Sequence, residues 1–166
     1  MTTATWATMS VRPEPVEPRA PNTAPLRFAG YAALFDVADA AGDVIRKGAF
    51  SRTLAERAEL PLLWQHDPAR RIGRIETLTE DERGLRVIAR IESAGRAGAE
   101  LLRRAVSGLS FGYRARQYRR LPKGRLLEDI ELFEVSLVTH PLQHGARVHL
   151  IGQRSSPARG GGSPQG

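Results

Sequence analysis

Ser110 stands between two glycines in Gly108-Leu109-Ser110-Phe111-Gly112-Tyr113. Flanking glycines let a backbone turn sharply and leave a hydroxyl accessible, which is what a nucleophile requires. The same residues also fit a blander description, a helix-capping glycine followed by an ordinary strand serine, because residues 100–106 read as an amphipathic helix. Two further groups invite attention. His66 ends the apolar run Leu62-Leu63-Trp64-Gln65-His66, where a period of two puts Leu62, Trp64 and His66 on one face. Glu134 lies in Leu132-Phe133-Glu134-Val135-Ser136-Leu137-Val138, with Phe133, Val135 and Leu137 expected on one face and Leu132, Glu134, Ser136 and Val138 on the other. A carboxylate in such apolar company needs a reason to be there, unless the strand end is exposed.

Other chemistries are excluded by what is missing. The chain has no cysteine, which removes disulfides, zinc–thiolate sites and thiol catalysis. Its four histidines are His66, His140, His144 and His149, and no acidic residues match them at ligand spacing, so neither a metal site nor a cofactor is expected. Gly108-x-Ser110-x-Gly112 matches the nucleophile elbow of α/β-hydrolases, but that elbow joins a strand to a following helix. Here the helical pattern precedes the serine and the strand pattern follows it. The elbow match is accidental.

These groups must be held by a chain of 166 residues, a length that favours one domain. Residues 1–25 are proline-rich and expected to be flexible. Residues 26–151 form the expected domain, and residues 152–166 form a Gly/Ser/Pro tail. No apolar run reaches transmembrane length and no signal-peptide pattern opens the chain, so a soluble intracellular protein is expected. Within the domain, strand patterns cover residues 26–35, 62–66, 72–79, 85–92, 110–120 and 126–138, with Asp67-Pro68 expected to stop the second. Helical patterns cover residues 51–58, with Phe50, Leu54 and Ala58 in register, and residues 96–106, with Ala97, Leu101, Leu102 and Ala105 as the apolar stripe. Gly108 sits where a helix C-cap would. The pattern predicts an α+β fold, a mainly antiparallel curled or closed β-barrel with helices packed around it.

Charge adds a second theme. Lysine and arginine total 25 against 18 acids, a net +7, and residues 103–125 carry eight basic residues and no acid. Such a surface suits an acidic protein partner or nucleic acid, although only Tyr113 and Tyr118 are interleaved for base stacking.

Several ordered segments together resemble the prohead proteases of tailed bacteriophages, the capsid-maturation serine peptidases related to herpesvirus assemblins. They are Phe28-Ala29-Gly30-Tyr31-Ala32-Ala33-Leu34-Phe35, Lys47-Gly48-Ala49-Phe50, Leu63-Trp64-Gln65-His66-Asp67-Pro68 with Ile72-Gly73, the Ser110 hexapeptide, and residues 132–141 ending in Thr139-His140-Pro141. One departure is Leu142, where the family more often has a small residue after the proline. The resemblance implies an assemblin-like fold with Ser110 as nucleophile and His66 as base. Glu134 matches the family's acidic position, with Asp67, Asp129 and Glu131 as poorer candidates for the third member. Arg114, on Ser110's parity, is a candidate to assist the oxyanion. The implied function is an endopeptidase that cleaves major capsid protein and scaffold, and itself, inside the assembling procapsid in the host cytoplasm, with self-association. A catalytically inactive capsid-assembly or nucleic-acid-binding module using the basic hairpin is the competing reading.

Overall fold

The computed structural model describes residues 24–56, 59–92 and 95–153. The expected flexible ends fall almost wholly outside these residues. The elements run β1 (Leu26–Leu34), β2 (Val44–Ile45), α1 (Ser51–Glu56), β3 (Pro61–Trp64), β4 (Asp67–Glu80), β5 (Gly84–Ile91), α2 (Gly95–Leu102), β6 (Gly108–Arg120), β7 (Arg125–Val138) and β8 (Val148–Gln153). Among the described residues no helix is long and apolar enough to cross a membrane.

Everything is arranged about β7. One of its edges pairs antiparallel with β6 along nearly its whole length. Its other edge is shared by two short strands running parallel to it, β2 at Leu126 and Leu127 and β3 at Val135, Ser136 and Leu137. Between them the backbone of β7 would be left without partners, and buried backbone groups must be satisfied. The α1 region fills the gap. Ile130 N–H donates to the Ala49 carbonyl at 2.9 Å, and Leu132 N–H donates to the buried Thr53 hydroxyl at 3.2 Å.

From β3 the sheet continues through β4, β5 and β1 to β8 by antiparallel pairing. The alternation that marks β5 as a strand has its physical basis here, because Leu85, Val87, Ala89 and Ile91 are all fully buried on one face. Phe50 anchors the core beneath β6 and β7, edge-on to Phe111 with ring centroids 5.5 Å apart and tilted against Phe35 at 6.3 Å. The sheet is not a closed barrel. Among the described residues β6 and β8 form no ladder; Gly108 of β6 makes an isolated bridge to Arg147, the residue before β8, flanked by Leu109 N–H to the Ala146 carbonyl and Val148 N–H to the Ser107 carbonyl, each 2.8 Å.

Local chemistry corrects several expectations. Asp67-Pro68 opens β4 rather than stopping β3, and the chain reverses one step earlier, at Gln65-His66. Ala58 lies outside the described residues. In α2 only Ala97, Gly98 and Leu101 are buried, while Leu102 and Ala105 are exposed, since the helix has ended by Leu102. Arg104, at φ 59°, terminates that helix in the left-handed conformation usual for a cap. Gly108 has no such backbone and belongs to β6.

The basic run is also met from within the chain. Arg114 pairs with Glu131, Arg116 with Glu56 and Glu131, Arg119 with Glu128, Arg103 with Glu100, and Arg125 with Asp43. The acids absent from residues 103–125 are supplied by β7 (Glu128 and Glu131), by α1 and α2 (Glu56 and Glu100) and by Asp43 before β2.

Asp43 is the most deeply placed of these acids. Three hydrogen bonds from the Arg125 guanidinium, the shortest 2.5 Å, hold its carboxyl below the usual aspartate range against the opposing effect of burial. Because the folded value is lowered, the stabilisation is complete above the unfolded value near ~4 and is lost as pH falls through the folded value. Arg125 remains partly exposed, so screening reduces the ~3–5 kcal/mol of a fully buried broken pair to about 1–3 kcal/mol. Asp43→Asn is therefore expected to lower unfolding stability by that amount at pH 7. In denaturant melts the gap between variant and wild type should close below about pH 4. A gap that is independent of pH would show that the charge is not what stabilises the loop.

Candidate active site

The β3–β4 hairpin turns through only two residues, with Trp64 opposite Asp67. A two-residue hairpin loop favours positive φ at both central positions, normally supplied by Asn and Gly. Here the positions are Gln65 (φ 52°) and His66 (φ 60°), neither a residue that adopts this conformation without cost. The strain is of order 1–3 kcal/mol per residue and persists only where surroundings enforce it. Those surroundings are on β7. Gln65 N–H donates to the Leu137 carbonyl at 2.9 Å, and its side-chain amide makes a reciprocal pair with Thr139, 2.7 Å to the hydroxyl and 3.2 Å from the backbone N–H. His66 N–H donates to Ser136 Oγ at 3.2 Å.

The turn redirects His66. Its ring does not continue the face of Leu62 and Trp64, because β3 has ended, and it folds back over β7 instead. There Nδ1 lies 2.5 Å from Glu134 Oε1. An ionised carboxylate only accepts hydrogen bonds, so Nδ1 carries the proton and Nε2 is the basic nitrogen of the neutral ring. Among the described residues Nε2 has no hydrogen-bond partner. The imidazole is 45% exposed and the carboxylate 11%, a solvent-facing ring backed by a sheltered carboxylate.

Ser110 reaches the same place by register. It lies directly opposite Ser136, and Gly112 lies directly opposite Glu134. Residues opposed across an antiparallel pair project to one face with Cβ atoms about 4.5–5.5 Å apart. Ser110, Glu134 and Ser136 therefore share a face. No hydrogen bond joins Ser110 to His66 among the described residues, and Ser110 is buried rather than presented on a turn.

The two glycines serve a purpose other than turning. Neither has a positive φ, and both sit in regular strand. A Cβ on Gly112 would stand 2.7 Å from Glu134 Oε1 and 3.0 Å from its Cγ. A Cβ on Gly108 would stand 2.6 Å from the Val138 carbonyl and 2.7 Å from the Pro141 ring. The glycines are vacant positions into which the carboxylate and the end of β7 fit.

The other acids are engaged elsewhere. Asp67 accepts from Ala69 N–H, Asp129 lies against Arg52 and Arg116, and Glu131 is held by Arg114 and Arg116. Arg114 is thereby turned to Glu131 at 2.5 Å, with a largely exposed side chain. His140, His144 and His149 are exposed, His149 edge-on to Tyr31. One participant escaped the sequence reading. Ser136 donates from Oγ to Glu134 Oε2 at 2.5 Å, and the signal was the Glu-x-Ser spacing that puts both side chains on one face of β7.

The fold is shared with several viral proteases. The chain superposes on the protease of KSHV (TM-score 0.52, 17% identity, 77% of this chain and 65% of that one). It also superposes on the varicella-zoster virus protease (0.51, 16%, 80% and 65%) and the bacteriophage T4 capsid assembly protease (0.53, 14%, 69% and 82%). Residues 14–159 match the caudovirus prohead serine protease family, and the chain belongs to it. The prohead protease of Enterobacteria phage HK97 is 33% identical over 131 residues, which span 73% of this chain and 58% of that protein.

Introducing a methyl at Gly112 is expected to displace Glu134 from His66 and leave buried hydrogen-bonding groups unpaired. Gly112→Ala should cost about 1–3 kcal/mol in chemical denaturation. In a Glu134→Ala background the same substitution should be close to neutral. Equal losses in both backgrounds would place the clash elsewhere.

Proposed function

We propose that this chain is a serine endopeptidase of capsid maturation in which Ser110 is the nucleophile, His66 the general base and Glu134 the residue that orients it. The observation that carries the reading is the 2.5 Å contact between His66 Nδ1 and Glu134 Oε1, on a face shared with Ser110. A serine hydroxyl is a weak nucleophile at neutral pH and needs a base to take its proton as it attacks. His66 Nε2 is the free basic nitrogen for that step. As Ser110 Oγ adds to the scissile carbonyl, the proton passes to Nε2, and Glu134 stabilises the imidazolium without itself being protonated. The imidazolium then donates the proton to the leaving amine, releasing it and leaving an acyl-serine. Water, deprotonated by the same nitrogen, hydrolyses that ester.

The substrates in this reading are major capsid protein and its scaffold segment, with cleavage of the chain itself, inside the assembling procapsid. Family membership supports it, as does the likeness to a phage capsid assembly protease. Self-association belongs to the same proposal. The nucleic-acid alternative is weakened by the ion pairs that occupy most of the basic run.

Co-expression with the cognate capsid protein, followed by mass-spectrometric mapping of new N-termini, tests this directly. Wild type should generate discrete new termini. Ser110→Ala and His66→Ala should reduce their formation by about 10³-fold or more, and Glu134→Gln by about 10²–10⁴-fold. Identical fragments from wild type and Ser110→Ala would sink the proposal.

A further inference from the structure

We infer that Ser136 is a positioning residue for the His66–Glu134 pair, acting through both members at once. The inference rests on the catalytic reading of Ser110, His66 and Glu134 and deepens it. Ser136 is fully buried at the crossing point of the site, opposite Ser110 on the β6 side and beside Leu63 on the β3 side. Its hydroxyl accepts from His66 N–H at 3.2 Å and donates to Glu134 Oε2 at 2.5 Å. Glu134 in turn receives His66 Nδ1 on its other oxygen. The result is a closed circuit: His66 main chain, Ser136 hydroxyl, Glu134 carboxylate, His66 ring.

Each link has a physical task. The final torsion of a glutamate is broad and twofold, so a carboxylate held by one oxygen can rotate about it. With Oε2 fixed by Ser136, Oε1 is pinned in the direction of Nδ1. The bond to His66 N–H also helps hold a left-handed residue that would otherwise relax toward ordinary backbone. Loss of the hydroxyl leaves the part-buried His66 N–H and the buried Glu134 Oε2 without this partner. A serine present only as strand filling would carry neither bond, and alanine would replace it at no functional cost.

The test uses the full chain and a peptide spanning a cleavage site mapped with wild type. Ser136→Ala removes one oxygen from a buried position and creates no overlap. Its expected effect is a fall of about 10–100-fold in kcat with KM within about twofold. Ser136→Thr restores a hydroxyl and is expected to recover most of kcat. The proton between His66 Nδ1 and Glu134 is followed by NMR on histidine-labelled protein and should shift and broaden in Ser136→Ala. That resonance decides the matter alone if threonine does not fit.

A kcat for Ser136→Ala within twofold of wild type overturns the inference, as does an unchanged resonance. Ser110→Ala, run in parallel, separates the two levels. If it abolishes cleavage while Ser136→Ala is unaffected, only this inference fails. If Ser110→Ala still cleaves, the catalytic reading fails, and the resonance still reports whether Ser136 holds the pair.

Discussion

A single strand with both edges occupied governs this molecule. β7 must find hydrogen-bond partners on each side over 14 residues, and the way it finds them decides where Ser110, His66 and Glu134 lie. On one side β6 delivers Ser110 by antiparallel register. On the other, β3 runs parallel to β7 for three residue pairs and then reverses tightly, delivering His66. β7 itself supplies Glu134 between them. Two of the groups come from paired strands and the third from the turn that follows β3, and a slip of one residue in the β6–β7 ladder would turn Ser110 to the opposite face.

The tight reversal carries a cost. Two consecutive non-glycine residues at positive φ would be avoided by a loop free to choose its conformation. Both are retained by bonds to the end of β7, through the Leu137 carbonyl, Thr139 and Ser136. Glycine would relieve His66 of strain and remove the imidazole. The strained position is thus one where the needed side chain and the easiest backbone conflict, and the fold resolves the conflict in favour of the side chain.

Much of this was visible in the residues alone, and the failures have physical reasons. Period-two patterning located β5 because half its side chains enter one core, and the ordered motifs pointed to Ser110, His66 and Glu134. Parity failed where the chain stopped being regular. Phe133 was grouped with Val135 and Leu137, but a bulge between Leu132 and Glu134 leaves it 49% exposed while the other two are fully buried. His66 was assigned a face by counting through a strand that had ended two residues earlier. Gly108 and Gly112 were read as turning residues, whereas their function is to lack a Cβ beside Val138 and Glu134. That depends on a partner strand more than 20 residues away in sequence, as do the parallel pairings of β7. Contacts of that kind leave no local pattern.

The placement of β7 late in the chain also sets an order of events during synthesis. His66 and Glu134 are 68 positions apart in sequence and meet only where β3 pairs with β7. Long-range pairing of this type is entropically slow compared with local hairpins such as β4–β5. A growing chain that has produced β1 to β6 already contains Ser110 and His66, yet has no carboxylate to orient the imidazole and no strand to hold its turn. The contact between the His66 ring and Glu134 therefore waits on the pairing of β7.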